Sequence, residues 1–121
     1  YGGIGTSSHV KEYMELGAEC VAVGTLLAAS KESCLSDELK NTMIQVNSLN
    51  IVRLPDTDQN ALVLGDKEEV FNSPSRNRQD SLMDGLYGDG KTGHMYAGKS
   101  IDYVTEIRSV KEIVEELVKE L

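Results

Sequence analysis

Two glycine-bearing turns near the start of the chain carry the residue types that best suit phosphate binding. The first turn spans residues 2–8, Gly-Gly-Ile-Gly-Thr-Ser-Ser, and the second is Gly24-Thr25. Glycine lets a backbone approach a ligand closely, and helix N-termini present N–H groups and the positive end of a dipole. A tight turn without a ligand uses the same residue types, and helix capping explains at least one hydroxyl of residues 6–8 equally well. The candidate phosphate-binding residues are Gly2, Gly3, Gly5, Gly24 and Thr25.

Short elements between these turns are predicted to bring them side by side. Residues 8–17 have the apolar spacing of an amphipathic helix that Ser7 or Ser8 caps. The segment 19–23 is almost continuously apolar and too short for a helix, which predicts a buried parallel strand. Each turn then follows a strand or the expected position of one, so both lie at the same end of the layer.

Two further helices have clear start signals. Ser36 precedes an apolar stripe that predicts a helix over 36–46, with acidic residues in its first turn. Ser109 and Glu112 form a capping box ahead of a strongly amphipathic helix over 109–121. The apolar face of this last helix needs a surface on which to dock.

The middle of the chain has the pattern of strands and loops. Two β-prone runs, separated by a short connection containing proline and aspartate, predict a hairpin within 49–65. The stretch 72–81 is the most loop-like part of the sequence, and the glycines of 85–93 predict a second flexible segment.

Composition restricts the classes of function. The 121 residues fit one domain, and a net charge of −8 argues against a nucleic-acid partner. No apolar run has the length of a membrane span. The two cysteines, Cys20 and Cys34, are expected to be free thiols in a reducing compartment, which favours a cytoplasmic location. Two cysteines and two distant histidines give no metal-ligand spacing.

The order of these features resembles a known family of flavoenzymes. The segment GGIGTSSHVKEYMELGAECVAVGTLLAASKES resembles the region after strand 7 of phosphate-binding (β/α)8 barrels. The tail GDGKTGHMYAGKSIDYVTEIRSVKEIVEELVKEL resembles the C-terminal end of nitronate monooxygenases and the related flavin-dependent enoyl-ACP reductases. The resemblance is strong over residues 2–40 and 88–121 and weak over 55–87.

The resemblance implies an α/β fold that is the C-terminal fragment of a TIM (β/α)8 barrel, with a β-hairpin insertion and a C-terminal amphipathic helix. The chain is expected to form a single domain over residues 1–121. Its parts would be phosphate-binding β/α units in 1–48, a hairpin and loop excursion in 49–87, and a C-terminal segment in 88–121.

The resemblance also implies FMN as cofactor. The glycine turns would hold the flavin phosphate, and Gly98 with Lys99 would approach the isoalloxazine ring. Relatives usually carry serine and glutamine where this chain has His94 and Lys99. No catalytic residue is assigned, because the family's catalytic histidine is expected upstream of this region.

Two hypotheses of function follow. The first is the C-terminal part of an FMN-dependent oxidoreductase acting on a small molecule, completed by an upstream barrel segment or by further copies of the chain. The alternative is a non-catalytic, self-associating α/β module, or a truncated chain without flavin. A whole barrel has about 250 residues, so this chain of 121 residues is not expected to act as a stable lone catalyst.

Overall fold

Five α-helices and a three-stranded sheet make up the part of the chain that the structure describes. The computed structural model describes residues 1–54, 58–66, 68 and 75–121. The mixed α/β class agrees with the prediction. The elements in chain order are α1 (Ser7–Glu15), α2 (Thr25–Ala28), α3 (Asp37–Gln45), β1 (Ile51–Arg53), β2 (Asn60–Leu64), α4 (Ser75–Tyr87), β3 (Gly93–Tyr96) and α5 (Val110–Val118), with 3-10 helices at Ser48–Asn50 and Lys99–Tyr103.

Side-chain caps fix where three of the helices begin. Thr6 caps α1, one residue before the predicted Ser7 or Ser8. Ser36 caps α3 and Ser109 caps α5 in a capping box with its glutamate, both as predicted. In each case an oxygen of the cap accepts an N–H that the helix itself leaves without a partner. Local sequence therefore determines these helix starts.

The sheet has the order β1-β2-β3 with antiparallel pairing throughout. β1 and β2 lie within the predicted 49–65, and residues 55–57 of their connection are outside the described ones. Ile51 lies opposite Leu62, and Leu62 lies opposite Met95. β2 is buried on both faces, because Leu62 and Leu64 pack in the main core while its other apolar residues join a second, smaller cluster.

The main core lies where the helices pack on the sheet. Leu39 and Met43 of α3 and Ile101 of the second 3-10 helix have no exposed surface. Each such aliphatic side chain contributes roughly 2 kcal/mol by leaving water. The buried members of this core are Ile4, Val10, Leu26, Ala29, Leu39, Met43, Leu62, Leu64, Met95, Ala97, Ile101, Val104, Ile113 and Leu117.

The predicted parallel strand over 19–23 is wrong. These residues have no regular structure, and Cys20 is exposed, as is the second free thiol, Cys34. Val21 and Val23 are partly buried against the main core. A strand exists only when a neighbour pairs with its backbone, and the described sheet consists of the three antiparallel strands alone. An apolar run therefore suffices for packing here but not for a strand.

The predicted loop over 72–81 is wrong from residue 75 onward, and the predicted flexible segment 85–93 is helical at 85–87 but has neither helix nor strand over 88–92. Residues 72–74 lie outside the described ones, but α4 runs through the rest of the first stretch and into the second. α4 packs tightly on β3, where a Cβ added at Gly85 would lie 2.0 Å from the His94 carbonyl oxygen. This contact stabilises a helix whose polar composition alone favours a loop.

The apolar face of α5 is only partly covered. Ile113 and Leu117 are buried, as the predicted docking requires. Val114 and Val118 of α5, and Leu121 beyond its end, remain exposed, with 44%, 46% and 66% of their surface accessible. No helix in the described ranges is long and apolar enough to cross a membrane.

Candidate functional site

One pocket gathers most of the residues predicted to bind phosphate. It has a volume of about 600 Å³. Residues 1–4 and 22–25 meet the segment 96–98 around it. The predicted residues that line it are Gly2, Gly3, Gly24, Thr25 and Gly98. Turns that are distant in sequence therefore form one concave surface, although the parallel strand expected between them is not there.

The glycines of this pocket border open space. A Cβ added at Gly2, Gly3, Gly24 or Gly98 would meet no described atom within 4 Å. Gly24 and Gly98 have φ values of −110° and −114°, which any residue adopts. These two positions are therefore distinguished by the open space beside the backbone and not by the backbone conformation. A ligand that approaches the backbone closely needs this space.

Thr25 connects the two sides of the pocket. It is the first residue of α2 and is only 8% exposed. Its Oγ1 accepts the Gly98 N–H at 3.1 Å, which ties the start of α2 to the segment after β3. A hydroxyl that accepts one hydrogen bond still carries its own proton. The Thr25 O–H is therefore suited to donate to an anion in the pocket.

Gly5 and Lys99 are not among the described residues that line the pocket. Gly5 packs beneath an aromatic ring, because a Cβ there would lie 2.0 Å from Tyr103 Cδ2. Lys99 is exposed at the start of the second 3-10 helix, next to Gly98. Their predicted contacts with flavin stay predictions.

The hydroxyls of Ser7 and Ser8 have another use. Both donate to the Glu120 carboxylate beyond the end of α5, from Ser8 at 3.0 Å. These two hydrogen bonds are the main reason that the pKa of Glu120 lies below its ordinary value. The two serines thus join α1 to α5.

His94 is a core residue. It is fully buried in β3, and its Nδ1 lies 2.9 Å from Ser81 Oγ of α4. The Tyr96 ring packs edge-on, with the two ring centroids 5.7 Å apart. The described contacts of His94 are therefore those of helix-to-sheet packing.

The hairpin supplies a polar wall that no sequence pattern predicted. Arg53, Asp58, Gln59 and Asn60 line the pocket together with Tyr96 of β3. Arg53 and Asn60 are directly opposite each other in the β1–β2 pairing, which brings the two ends of the connection together. No local motif reveals this wall, because the register of three strands decides which residues reach the pocket.

Arg53 and Asp58 form an ion pair on that wall. Arg53 Nε donates to Asp58 Oδ1 at 2.6 Å. This hydrogen bond, and then the attraction between the charges, lowers the pKa of Asp58 and raises that of Arg53. Both side chains are largely exposed, so the pair contributes little to stability. Elsewhere in the described ranges, no cluster of three or more histidine, cysteine or acidic side chains could hold a metal ion.

Comparison with known proteins identifies where this architecture recurs. Residues 1–120 match the family model of nitronate monooxygenase. Among curated proteins, no sequence matches the chain. The fold is similar to that of FabK from Thermotoga maritima, at 28% identity and a TM-score of 0.80 over 98% of this chain and 42% of that one. The M276A mutant of the same FabK gives 24% identity and a TM-score of 0.80, over 98% of this chain and 39% of that one. The chain thus spans about two fifths of the length of these structures.

Proposed function

Because the chain belongs to the nitronate monooxygenase family, over residues 1–120, we propose that it forms the phosphate-holding part of an FMN-dependent oxidoreductase. When bound, FMN supplies the redox chemistry, and the protein supplies binding and orientation. The glycine wall, defined here as Gly2, Gly3, Gly24 and Gly98, holds the flavin phosphate with the Thr25 hydroxyl. The observation that carries this proposal is the open space beside all four glycines of one pocket.

The residues of the pocket fit a phosphate on three counts. A backbone without side chains lets phosphate oxygens reach N–H groups directly. The first-turn N–H groups of α2 have no carbonyl partner within the helix itself. Thr25 adds a hydroxyl donor held in place by Gly98. Lys99, which follows Gly98, would bring a positive charge towards an electron-rich flavin ring.

Turnover belongs to the complete barrel in this proposal. We assign the chain to the C-terminal part of a TIM barrel, with β1 and β2 as a hairpin insertion; its likeness to about two fifths of the FabK chain supports a partial barrel. The remaining barrel would supply the catalytic base and the binding site for a small substrate, in the cytoplasm. We expect the FMN-loaded chain alone to oxidise no nitronate and to reduce no enoyl substrate. Turnover by a monomer of this chain would contradict that assignment.

The flavin's phosphate gives a direct test of the site. FMN and riboflavin differ only in this group, so titrations that follow flavin fluorescence isolate its contribution. We expect the wild-type chain to bind FMN at least about tenfold more tightly than riboflavin, since charge-assisted hydrogen bonds stabilise the phosphate. Equal affinities for the two flavins would contradict a phosphate cradle.

Two variants test whether the preference for FMN over riboflavin arises at Gly24. Gly24→Val puts a branched side chain into the open space and should abolish the preference for FMN. Asn41→Val adds the same side chain on α3, at an exposed residue that does not line the pocket, and should retain it. A folded Gly24→Val protein that still prefers FMN would remove Gly24 from the site.

The exposed apolar residues favour a second candidate, a self-associating α/β module without flavin. Val114, Val118 and Leu121 of the C-terminal region are exposed, as is Leu16 just after α1. Apolar surface of this kind usually marks an association site. Sedimentation of wild type and Val118→Glu tests it, because the substitution should convert an oligomer to a monomer. A colourless oligomer that does not bind FMN would favour this candidate over the flavin-binding one.

A further inference from the structure

The hairpin wall brings one arginine to the pocket of a strongly acidic protein. The chain has a net charge of −8. Among the described residues that line the pocket, Arg53 and Asp58 are the two whose side chains carry full charge at neutral pH. A cation at a glycine-walled pocket is the group that an oxyanion would contact, because guanidinium matches phosphate geometry.

The ion pair fixes where this guanidinium lies. Asp58 has a φ of +55°, a left-handed conformation that aspartate tolerates, and its N–H donates to the Leu54 carbonyl at 3.0 Å. Its carboxylate accepts the hydrogen bond from Arg53 Nε–H. A guanidinium has five N–H donors, and a bidentate contact with an oxyanion needs two of them. Asp58 therefore orients Arg53 and leaves donors on the two Nη atoms for a ligand.

We propose that Arg53 is an oxyanion-recognition residue of this pocket, with Asp58 as the residue that orients it and competes for its charge. The ligand chemistry is a phosphate group. Its source is either the phosphate of FMN itself or that of a second, phosphate-bearing substrate beside the flavin. The inference rests on the proposed function only for the identity of the flavin, and phosphate recognition by Arg53 can be tested without it.

Two substitutions on the ion pair should act in opposite directions. Arg53→Gln removes the charge and should weaken phosphate binding about tenfold, because the contact is charge-assisted. Asp58→Asn keeps a side-chain oxygen for Nε and tolerates the left-handed conformation, but it removes the repelling charge. It should strengthen phosphate binding about threefold. If Asp58 only held the wall in place, its substitution would bring no gain, so unchanged or weaker phosphate binding by Asp58→Asn would contradict its proposed role.

The first arm of the experiment uses inorganic phosphate and the full chain. Amide resonances of Gly24 and Gly98, observed by ¹⁵N NMR, report on the pocket during the titration. Lys111→Gln is the matched control, since it removes the same charge from a residue of α5 that is 81% exposed and does not line the pocket. We expect wild-type affinity for this control. Absence of saturable shifts in wild type, or the same affinity in Arg53→Gln, would overturn the proposal.

The second arm identifies the source of the phosphate. If Arg53→Gln lowers the affinity for FMN to that for riboflavin, Arg53 contacts the flavin phosphate. If FMN affinity stays and inorganic phosphate binds more weakly to the FMN-loaded variant, Arg53 contacts a second ligand; both results support the proposal. The two proposals can also fail separately. If wild type binds phosphate, and the two variants change that affinity in opposite directions, but wild type binds no FMN, the proposed flavin function is refuted and this inference is retained.

Discussion

Glycines have opposite uses in the pocket and in the contact between α4 and β3. At the pocket, a Cβ added to Gly24 or Gly98 would meet no described atom within 4 Å. At the helix–sheet contact, a Cβ on Gly85 would lie 2.0 Å from the His94 carbonyl oxygen, and one on Gly93 would lie 2.2 Å from the Ser81 carbonyl oxygen. One set of glycines leaves space beside the backbone, and the other lets two backbones touch.

This difference separates stability from binding at the level of single residues. Rigid backbone cannot move away from an added methyl group, so substitution at the helix–sheet contact strains the fold. The open space beside Gly24 and Gly98, whose φ values any residue adopts, accepts a side chain, so substitution at these two positions changes what can enter the pocket. Residue type alone does not distinguish the two roles.

The largest effect is expected at the helix–sheet contact. Gly85→Ala forces α4 away from β3 and should lower the free energy of unfolding by about 3 kcal/mol, as overpacking in a core does. Urea unfolding followed by circular dichroism measures this loss. Asp84→Ala, one residue earlier and exposed, is the control with little expected change. A wild-type midpoint for Gly85→Ala would show that the two backbones separate freely.

A large effect on binding, without an effect on the fold, is expected at Gly98. Its φ of −114° and ψ of −174° are extended backbone that suits a β-branched residue. Gly98→Val should keep stability within about 0.5 kcal/mol and lower FMN affinity about tenfold or more. Fluorescence titration with FMN and urea unfolding measure the two quantities. A stability loss as large as that of Gly85→Ala would abolish the distinction between the two regions.

Thr25 contributes to both the fold and the pocket, so its substitution should have an intermediate effect on stability and on FMN binding. Thr25→Val removes the acceptor of the Gly98 N–H and, with it, the hydroxyl of a pocket-lining residue. We expect a loss of about 1–2 kcal/mol in stability together with weaker FMN binding. Thr25→Ser keeps the hydroxyl and should restore both. Restoration of stability alone would show that the hydroxyl serves packing and not the ligand.

The smallest effect is expected at the cap of α5. Hydrogen bonds from the Ser109 backbone and side chain, and then the charge of Lys31, lower the pKa of Glu112. A carboxyl with a lowered folded-state pKa stabilises the fold above its unfolded-state pKa, about 4.3, and loses this effect as pH falls through the folded value. Wild type should therefore lose more thermal stability than Glu112→Gln on acidification below about pH 4.5. Melting temperatures at two pH values test this prediction, with Glu19→Gln as control. An equal fall in melting temperature on acidification in wild type and Glu112→Gln would contradict it.

Sequence patterns predict the elements whose signals are local. Ser36 and Ser109 begin helices because a cap needs only the first turn that follows it. The two glycine turns were predicted to share a site, and both line the same pocket. Each cap lies within one turn of the helix that it begins, so it needs no distant partner to be recognised, whereas the turns meet without the strand expected between them.

The remaining features depend on contacts that no local pattern encodes. The apolar segment 19–23 is not a strand, because no described neighbour pairs with it. α4 forms in a polar stretch because Gly85 fits closely against β3. Arg53 reaches the pocket only through the register of the antiparallel strands. In each case the deciding partner lies far away in the chain.

FMN binding by Gly24→Val, measured beside its unfolding by urea, tests directly whether this pocket holds the flavin phosphate. We expect an unfolding midpoint like that of wild type, since the added side chain meets open space, together with loss of FMN binding. Gly85→Ala, measured in parallel, should instead lower the midpoint of urea unfolding. A folded Gly24→Val protein that binds FMN with wild-type affinity would contradict the assignment of this pocket to the flavin phosphate.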